Sequence, residues 1–354
     1  MNILYLTNQL NYTDGVSTHL FYLLKHLKTM RDVNVFLMYG EGDAADKFNN
    51  ENINLKHERK LDHSVRSISN YSSAIYTVYG FCRQNKINII HSHNHYSSSI
   101  AKHASVFLNV KTVQTNHGII PGEGRLNHFN ADYYIAVNDR IKKFIIENNI
   151  AGKNNVRLIY NGIDFDDSIC IKNKSPLRII AASRFEKSKG LNTFILAVSK
   201  LPESLRKNIE IIIAGEGSLE KELKESDKKL KTGIIFSGND KDLRKKLDQT
   251  SIFVIASNTD TEGLPMTIIE AAASRNLIVS SDFAGVTDIL KNETDGLIFK
   301  RNDADDLASK LIFALTNKEL TDKMTSVFYE KAKKNFNSGL MCSEHINFYR
   351  EILK

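Results

Sequence analysis

Short apolar runs alternate along this chain with longer segments in which apolar residues recur every three or four positions. Runs at residues 2–7, 33–39, 87–91, 111–115, 132–137 and 156–159 read as strands. Segments at 16–27, 70–84, 97–108 and 140–147 read as helices, the first with Leu20, Leu23, Leu24 and Leu27 on one face. The pattern restarts at 177–182 and continues through strands at 209–214, 234–237, 252–256, 277–280 and 296–299. Helices are expected at 191–201, 220–229, 240–247, 303–315 and 318–335, with a last one near 343–353. Strand–helix alternation of this kind predicts mainly parallel sheets covered by helices on both faces. The polar stretch before Pro176, DDSICIKNKS, marks the break between the two sets. The organisation predicted is α/β, with two doubly wound domains over residues 1–168 and 169–335 and a C-terminal helix in 336–354. Two such domains facing each other would form a cleft at the carboxyl ends of their strands, where these sheets bind ligands.

Composition narrows the classes. The chain has 354 residues, 42% hydrophobic and 25% charged, which suits two ordinary globular domains. No run of eighteen apolar residues predicts a membrane span. The start MNILYLTNQL reads as a strand, not a signal peptide. Three widely spaced cysteines, Cys82, Cys170 and Cys342, form neither a disulfide framework nor a metal spacing, and fit a reduced, cytoplasmic setting. The net charge of +7 is spread over both halves. It permits an anionic partner without selecting one, and no feature points to nucleic acid.

Candidate chemistry gathers after strands. TEGLPMTIIEAAA (residues 261–273) follows the run IFVIA and reads as a loop entering an apolar helix, with Pro265 in its first turn. Such an entry presents free N–H groups and the positive end of the helix dipole, which suits a diphosphate. Glu262 and Glu270, eight residues apart, could reach different parts of one hydroxyl-rich ligand, or be incidental acids on a core helix. In ASRFEKSKG, Arg184 and Lys189 could grip both phosphates; a solvated charged loop fits as well. Gly215 and Gly217 in AGEGSLEKEL, and Gly238 after the next strand, let loops turn tightly beneath a nucleotide, or are plain turns. Gly15, in the loop after the first strand, allows close approach of a ligand, though one glycine makes no dinucleotide or P-loop fingerprint.

Together, RFEKSKG, AGEGSLEKEL and EGLPMTIIEAAA resemble the family 4 glycosyltransferases of GT-B fold. DGVSTHL, IIHSHN, TNHGI, YYIAVN, IYNGID and the closing FYREILK extend the resemblance over nearly the whole chain. It implies two Rossmann-like domains and a last helix crossing back to the first. It further implies a retaining transfer of sugar from a nucleoside diphosphate, with UDP-sugars the commoner donors, to a glycan or lipid-linked acceptor in surface-polysaccharide or glycolipid assembly. By position, Arg184 and Lys189 would bind the donor diphosphate, Glu270 the ribose hydroxyls and Glu262 the transferred sugar. The backbone at Gly263, Leu264 and Pro265 would line the sugar and phosphate site. Gly15 would approach the diphosphate, and His117 would face the donor sugar near the reacting carbon. An epimerase of nucleotide sugars, or a non-catalytic sugar-nucleotide or glycan-binding module, are the alternatives.

No metal or cofactor is expected. Arg184 and Lys189 would neutralise the diphosphate, so the acidic pairs Asp164/Asp166 and Asp303/Asp305 are read as decoys. Ten of eleven histidines fall in the first 128 residues. His91, His93 and His95 alternate at a strand end and are read as polar, cleft-facing residues in preference to metal ligands. The basic segment 57–66, with His57, Arg59, Lys60 and Arg66, suits an anionic lipid surface at the inner face of a membrane, or a solvated loop. The loop 119–130 could close over an acceptor.

Overall fold

The computed structural model describes residues 1–119, 130–168, 177–239, 243–261 and 263–354. The expected loop 119–130 and linker 166–175 therefore lie largely outside the described residues, as does Glu262.

Strands β1 (Asn2–Gln9), β2 (Asn34–Glu41), β3 (Asn54–His57), β4 (Ile89–Ser92), β5 (Lys111–Asn116), β6 (Tyr133–Ala136) and β7 (Val156–Leu158) form one sheet. Its order is β3-β2-β1-β4-β5-β6-β7, with every pair parallel. Strands β8 (Leu177–Ala182), β9 (Ile209–Ala214), β10 (Ile235–Gly238), β11 (Ile252–Ile255), β12 (Leu277–Ser281) and β13 (Leu297–Phe299) form a second parallel sheet, ordered β10-β9-β8-β11-β12-β13. Both orders run outward from a first central strand, then reverse. The reversal lies between β1 and β4 in one sheet and between β8 and β11 in the other, and such a switch point opens a crevice at the carboxyl edge.

Contacts divide the chain into two units. The first holds Met1–Ile163, Thr261–Leu264 and Phe336–Lys354; the second holds Asp164–Asp260 and Pro265–Asn335. In the first, strand residues alternate between two faces. Ile3 and Tyr5 of β1 pack with Leu20, Leu23 and Leu24 of the helix Gly15–Leu27 and with Ile346 and Tyr349 of the helix Ser338–Ile352. Leu4 and Leu6 pack on the opposite face with Ala74, Val78, Ile100 and Ala101. The last helix is thus part of the first unit's core. In the second unit, Ile179, Ile211 and Val254 pack under Phe194, Val198, Leu311 and Met324.

Helix starts differ between the units. In the first, Asp14, Ser67, Asn94 and Asn138 each cap a helix by accepting from a backbone N–H three residues on. In the second, the helices Leu191–Ser199 and Met266–Ala273, which follow the two switch-point strands, begin at Gly190 and Pro265 without a side-chain cap. Pro265 is the residue before the helix, not in its first turn.

Strand β3 was not expected. It is an exposed edge strand whose sequence, NLKH, carries no apolar alternation. It takes the start of the basic segment out of loop conformation. Beyond it, Leu61 and Asp62 are buried, His57 and Arg59 reach Glu41, and Arg66 lies 4.2 Å over the ring of Tyr96. Among the described residues no helix is long and apolar enough to cross a membrane.

Candidate active site

The carboxyl edge of the six-stranded sheet carries the expected cations. Arg184 follows β8 directly; its side chain is 72% exposed and pairs with Glu186 at 2.8 Å. An exposed pair of this kind is worth at most about 1 kcal/mol, so a phosphate could displace Glu186. Lys189 is half-buried one turn later, its N–H donating to the carbonyl of Glu186 at 3.0 Å. Gly190 then adopts φ +63°, and a Cβ there would stand 1.9 Å from the carbonyl oxygen of Ala256. Its missing side chain lets the loops after β8 and β11 touch. They are stitched by Asn258, whose N–H donates to Ser188 O at 2.9 Å and whose Nδ2 donates to Lys187 O at 2.8 Å. Ser257 Oγ adds a bond to Ser188 O at 3.1 Å.

The glycine loops brace this edge from beneath. Gly215, at φ +135°, passes so close to Ser183 that a Cβ would lie 2.0 Å from its carbonyl. Gly217 lies against the backbone of Phe185, whose N–H donates to Glu216 O at 2.7 Å. Gly238, at φ +70°, meets nothing within 4 Å of a built Cβ, and its carbonyl accepts from Gly215 N–H at 2.8 Å. On the helix Met266–Ala273, Met266, Ile268, Ile269 and the three alanines are buried, while Glu270 is half-buried about one turn into the helix. Arg301 anchors the preceding loop through Asp260 at 2.9 Å and Asp282 at 3.0 Å.

Thr261, Gly263 and Leu264 pack with the first unit. Thr261 O accepts from Ile119 N–H at 2.9 Å, and a Cβ on Gly263 would come within 2.3 Å of His117 O. Leu264 O accepts from Asn161 Nδ2 at 2.9 Å. The stretch 261–273, met in the sequence as one piece, is therefore shared between the two units.

In the first unit, Gly15 is exposed at the start of its helix, where Asp14 already caps Ser17 N–H at 3.0 Å. His117, just past β5, is half-buried and lies among other imidazoles. His93 Nδ1 is 3.1 Å from His117 Nε2, and the rings of His19 and His117 meet edge to face at 5.0 Å. His19 and His345 come from distant helices and were not singled out in the sequence; their convergence is a product of the fold. Burial, then the mutual repulsion of the rings, holds His19, His91 and His93 well below the usual imidazole value and His117 at about 4. Burial alone brings His345 to about 4, against the hydrogen bond that its Nδ1 donates to Met341 O. These rings are neutral near pH 7.

The cleft-facing reading of His91, His93 and His95 is corrected. His91 and His93 are buried, and His91 joins Tyr349 and Thr115, with Tyr5 completing the chain at 2.9 Å from Tyr349. His95 is separated from them because Asn94 caps a helix that begins at His95. The acidic pairs have structural partners: Asp166 accepts from Ser168 N–H, Asp303 caps its helix, and Asp305 pairs with Lys200.

Residues 163–334 match the family description "Glycosyl transferases group 1", and residues 13–167 match "Glycosyltransferase Family 4". The chain belongs to the family 4-type glycosyltransferases of GT-B fold. An uncharacterized glycosyltransferase of Methanocaldococcus jannaschii is 26% identical over 241 residues, 65% of this chain and 60% of that protein. The chain thus spans about three fifths of that relative. A UDP-Gal:α-D-GlcNAc-diphosphoundecaprenol α-1,3-galactosyltransferase of Escherichia coli is 24% identical over 314 residues, 78% of each. The crystal structure of Anabaena HepE in complex with UDP-glucose superposes with a TM-score of 0.83 at 16% identity, covering 100% of this chain and 99% of that one. This likeness supports the fold. The group 1 match takes in Arg184, Lys189 and Glu270; the family 4 match takes in Gly15 and His117.

Proposed function

We propose that this chain transfers a sugar, with retention of anomeric configuration, from a nucleoside-diphosphate sugar to a glycan or lipid-linked acceptor. The observation that carries the reading is the carboxyl edge of the six-stranded sheet. Two helices start there without side-chain caps, flanked by Arg184 and Lys189 on a stitched loop. First-turn N–H groups and fixed cations are what an anionic leaving group needs, since charge grows on the phosphate oxygens as the bond to the sugar breaks.

In the reaction proposed, the bond from the anomeric carbon to the phosphate oxygen breaks and its electron pair stays on the diphosphate, held by Arg184 and Lys189. The acceptor hydroxyl bonds to the same face of the oxocarbenium-like sugar, and its proton passes to the departing phosphate. Glu270 takes the ribose hydroxyls, Glu262 the sugar hydroxyls, and the backbone of Gly263, Leu264 and Pro265 lines the sugar and phosphate. Gly15 and His117 keep their expected roles toward the diphosphate and the sugar. No divalent ion is needed at the diphosphate in this scheme.

The E. coli relative, whose printed activity uses UDP-Gal and a diphosphoundecaprenol acceptor, and HepE, solved with UDP-glucose, support a UDP-sugar donor and a lipid-linked acceptor. A peripheral membrane contact fits the first unit, where Ile68, Tyr76 and Phe107 are exposed by 89%, 78% and 86%. Thermal-shift screening against UDP-, GDP- and ADP-sugars tests the donor. A UDP-sugar should raise the melting temperature; no response to any nucleotide sugar contradicts the donor assignment.

A further inference from the structure

The imidazoles of the first unit form more than a buried polar patch. His19 comes from the helix after β1, His93 from the end of β4 and His117 from the end of β5. Each can place one ring nitrogen within 4.8 Å of the others'. The rings lie 5.0–5.4 Å apart, centroid to centroid. His19 and His93 are 0% and 3% exposed, yet Nε2 of each has no hydrogen-bond partner among the described residues. A buried ring nitrogen left without a partner costs about 1–3 kcal/mol, so each of the two calls for an occupant.

The orientation of His19 follows from its neighbour. Asn161 donates from Nδ2 to Leu264 O, so its Oδ1 accepts from His19 Nδ1–H at 2.9 Å. That bond holds the proton on Nδ1 and leaves Nε2 as a bare lone pair aimed at the cluster. Metal-bound histidines are held in the same way, the second ring nitrogen donating to a fixed oxygen.

We propose that His19, His93 and His117 form a three-imidazole site for a borderline transition-metal ion, Zn²⁺ being the simplest occupant, with a fourth position open to water. Imidazole donors suit zinc, copper or nickel, whereas Mg²⁺ and Ca²⁺ take oxygen ligands and the trio offers none. Tetrahedral zinc at about 2.0–2.1 Å from each nitrogen needs the three donors about 3.3 Å apart; His93 Nδ1 and His117 Nε2 already stand 3.1 Å apart, and all three donors lie within 4.8 Å of one another. The site shares His117 with the transfer proposal, where that residue faces the donor sugar, but it does not rest on that proposal: the diphosphate charge is met there by Arg184 and Lys189 and not by this ion.

The test uses the full chain without a polyhistidine tag, stripped by chelator and equilibrated with Zn²⁺ alone. One ion per chain should be retained, with Kd in the micromolar range or tighter. Co²⁺ should give the intense visible bands of a tetrahedral site. His19→Asn and His93→Gln, which keep polarity and bulk, should each weaken retention at least tenfold. His103→Gln, at an exposed position on a neighbouring helix, should leave it unchanged. Failure of the folded chain to retain zinc overturns the site, as does undiminished binding in the folded double variant or loss of binding with His103→Gln. If the His19 and His93 variants do not fold, the wild-type cobalt spectrum decides: tetrahedral bands support the site, and weak octahedral bands or none overturn it.

Discussion

The two sheets share one strand order, 3-2-1-4-5 outward from the switch point, yet their carboxyl edges carry opposite chemistry. In the first unit, side chains of Asp14, Asn94 and Asn138 occupy helix N-termini, and buried neutral imidazoles fill the edge. In the second, the helices after β8 and β11 start without caps, and a guanidinium and an ammonium stand beside them. Topology supplies the crevice in both. What differs is whether the backbone N–H groups are already satisfied by the chain itself. An edge left uncapped and flanked by cations is prepared for an anion; an edge capped and lined with neutral rings is not.

The largest effect that could break this contrast is expected at Arg184. Arg184→Ala should lower kcat/KM for transfer about 10²–10³-fold, the scale seen when one transition-state donor is removed. Its side chain is exposed, so thermal unfolding should not move. A drop below threefold would remove the diphosphate role.

Acid should act next, and on the first unit. His19, His91, His93, His117 and His345 all have folded-state values below the ordinary 6.5. Below about pH 6.5 the unfolded chain therefore binds protons that the native chain refuses. Each ring then removes up to about 1.4 kcal/mol of stability per pH unit. For His117 and His345 the loss stops near pH 4, and above about 6.5 the rings contribute no slope. Urea unfolding should thus be flat in this respect from pH 7 to 8 and steeply weaker at pH 5. Equal stability at pH 7 and 5 would show that the rings are not buried neutral.

Pro265→Asp sharpens the comparison directly by giving the second unit a cap of the first unit's kind. It should stabilise the helix Met266–Ala273 by about 0.5–2 kcal/mol while weakening donor binding, because a carboxylate then occupies the free N–H groups. Tighter donor binding would argue against an anion at that helix start. The smallest effect is expected for Glu270→Ala: loss of ribose contacts should raise donor KM by roughly tenfold with kcat nearly unchanged, the mark of an interaction made equally in ground and transition state.

Much of the fold was legible because parallel strands buried on both faces announce themselves as apolar runs. The expectations at 177–182, 209–214 and 318–335 coincide with Leu177–Ala182, Ile209–Ala214 and Lys318–Asn335. Strand Asn54–His57 was not legible, since an edge strand with exposed residues needs no apolar pattern. The cations after β8 were legible from their place after a strand. The stitch that fixes them, Asn258 to Ser188 and Lys187, was not, because it joins loops some seventy residues apart. Nor could spacing gather His19, His93, His117 and His345; period two found His91 and His93 but wrongly added His95, where the cap at Asn94 turns the chain into a helix.

The most direct test of the central claim is nucleotide release by the chelator-treated chain from UDP-sugars in the presence of a diphosphoundecaprenol-linked glycan, comparing wild type with Lys189→Ala. The expected result is UDP release with sugar appearing on the acceptor, unaffected by chelation, and at least a hundredfold loss in a Lys189→Ala protein that unfolds at the same temperature. Wild-type rates in Lys189→Ala, or activity that returns only when a divalent ion is added back, would contradict it.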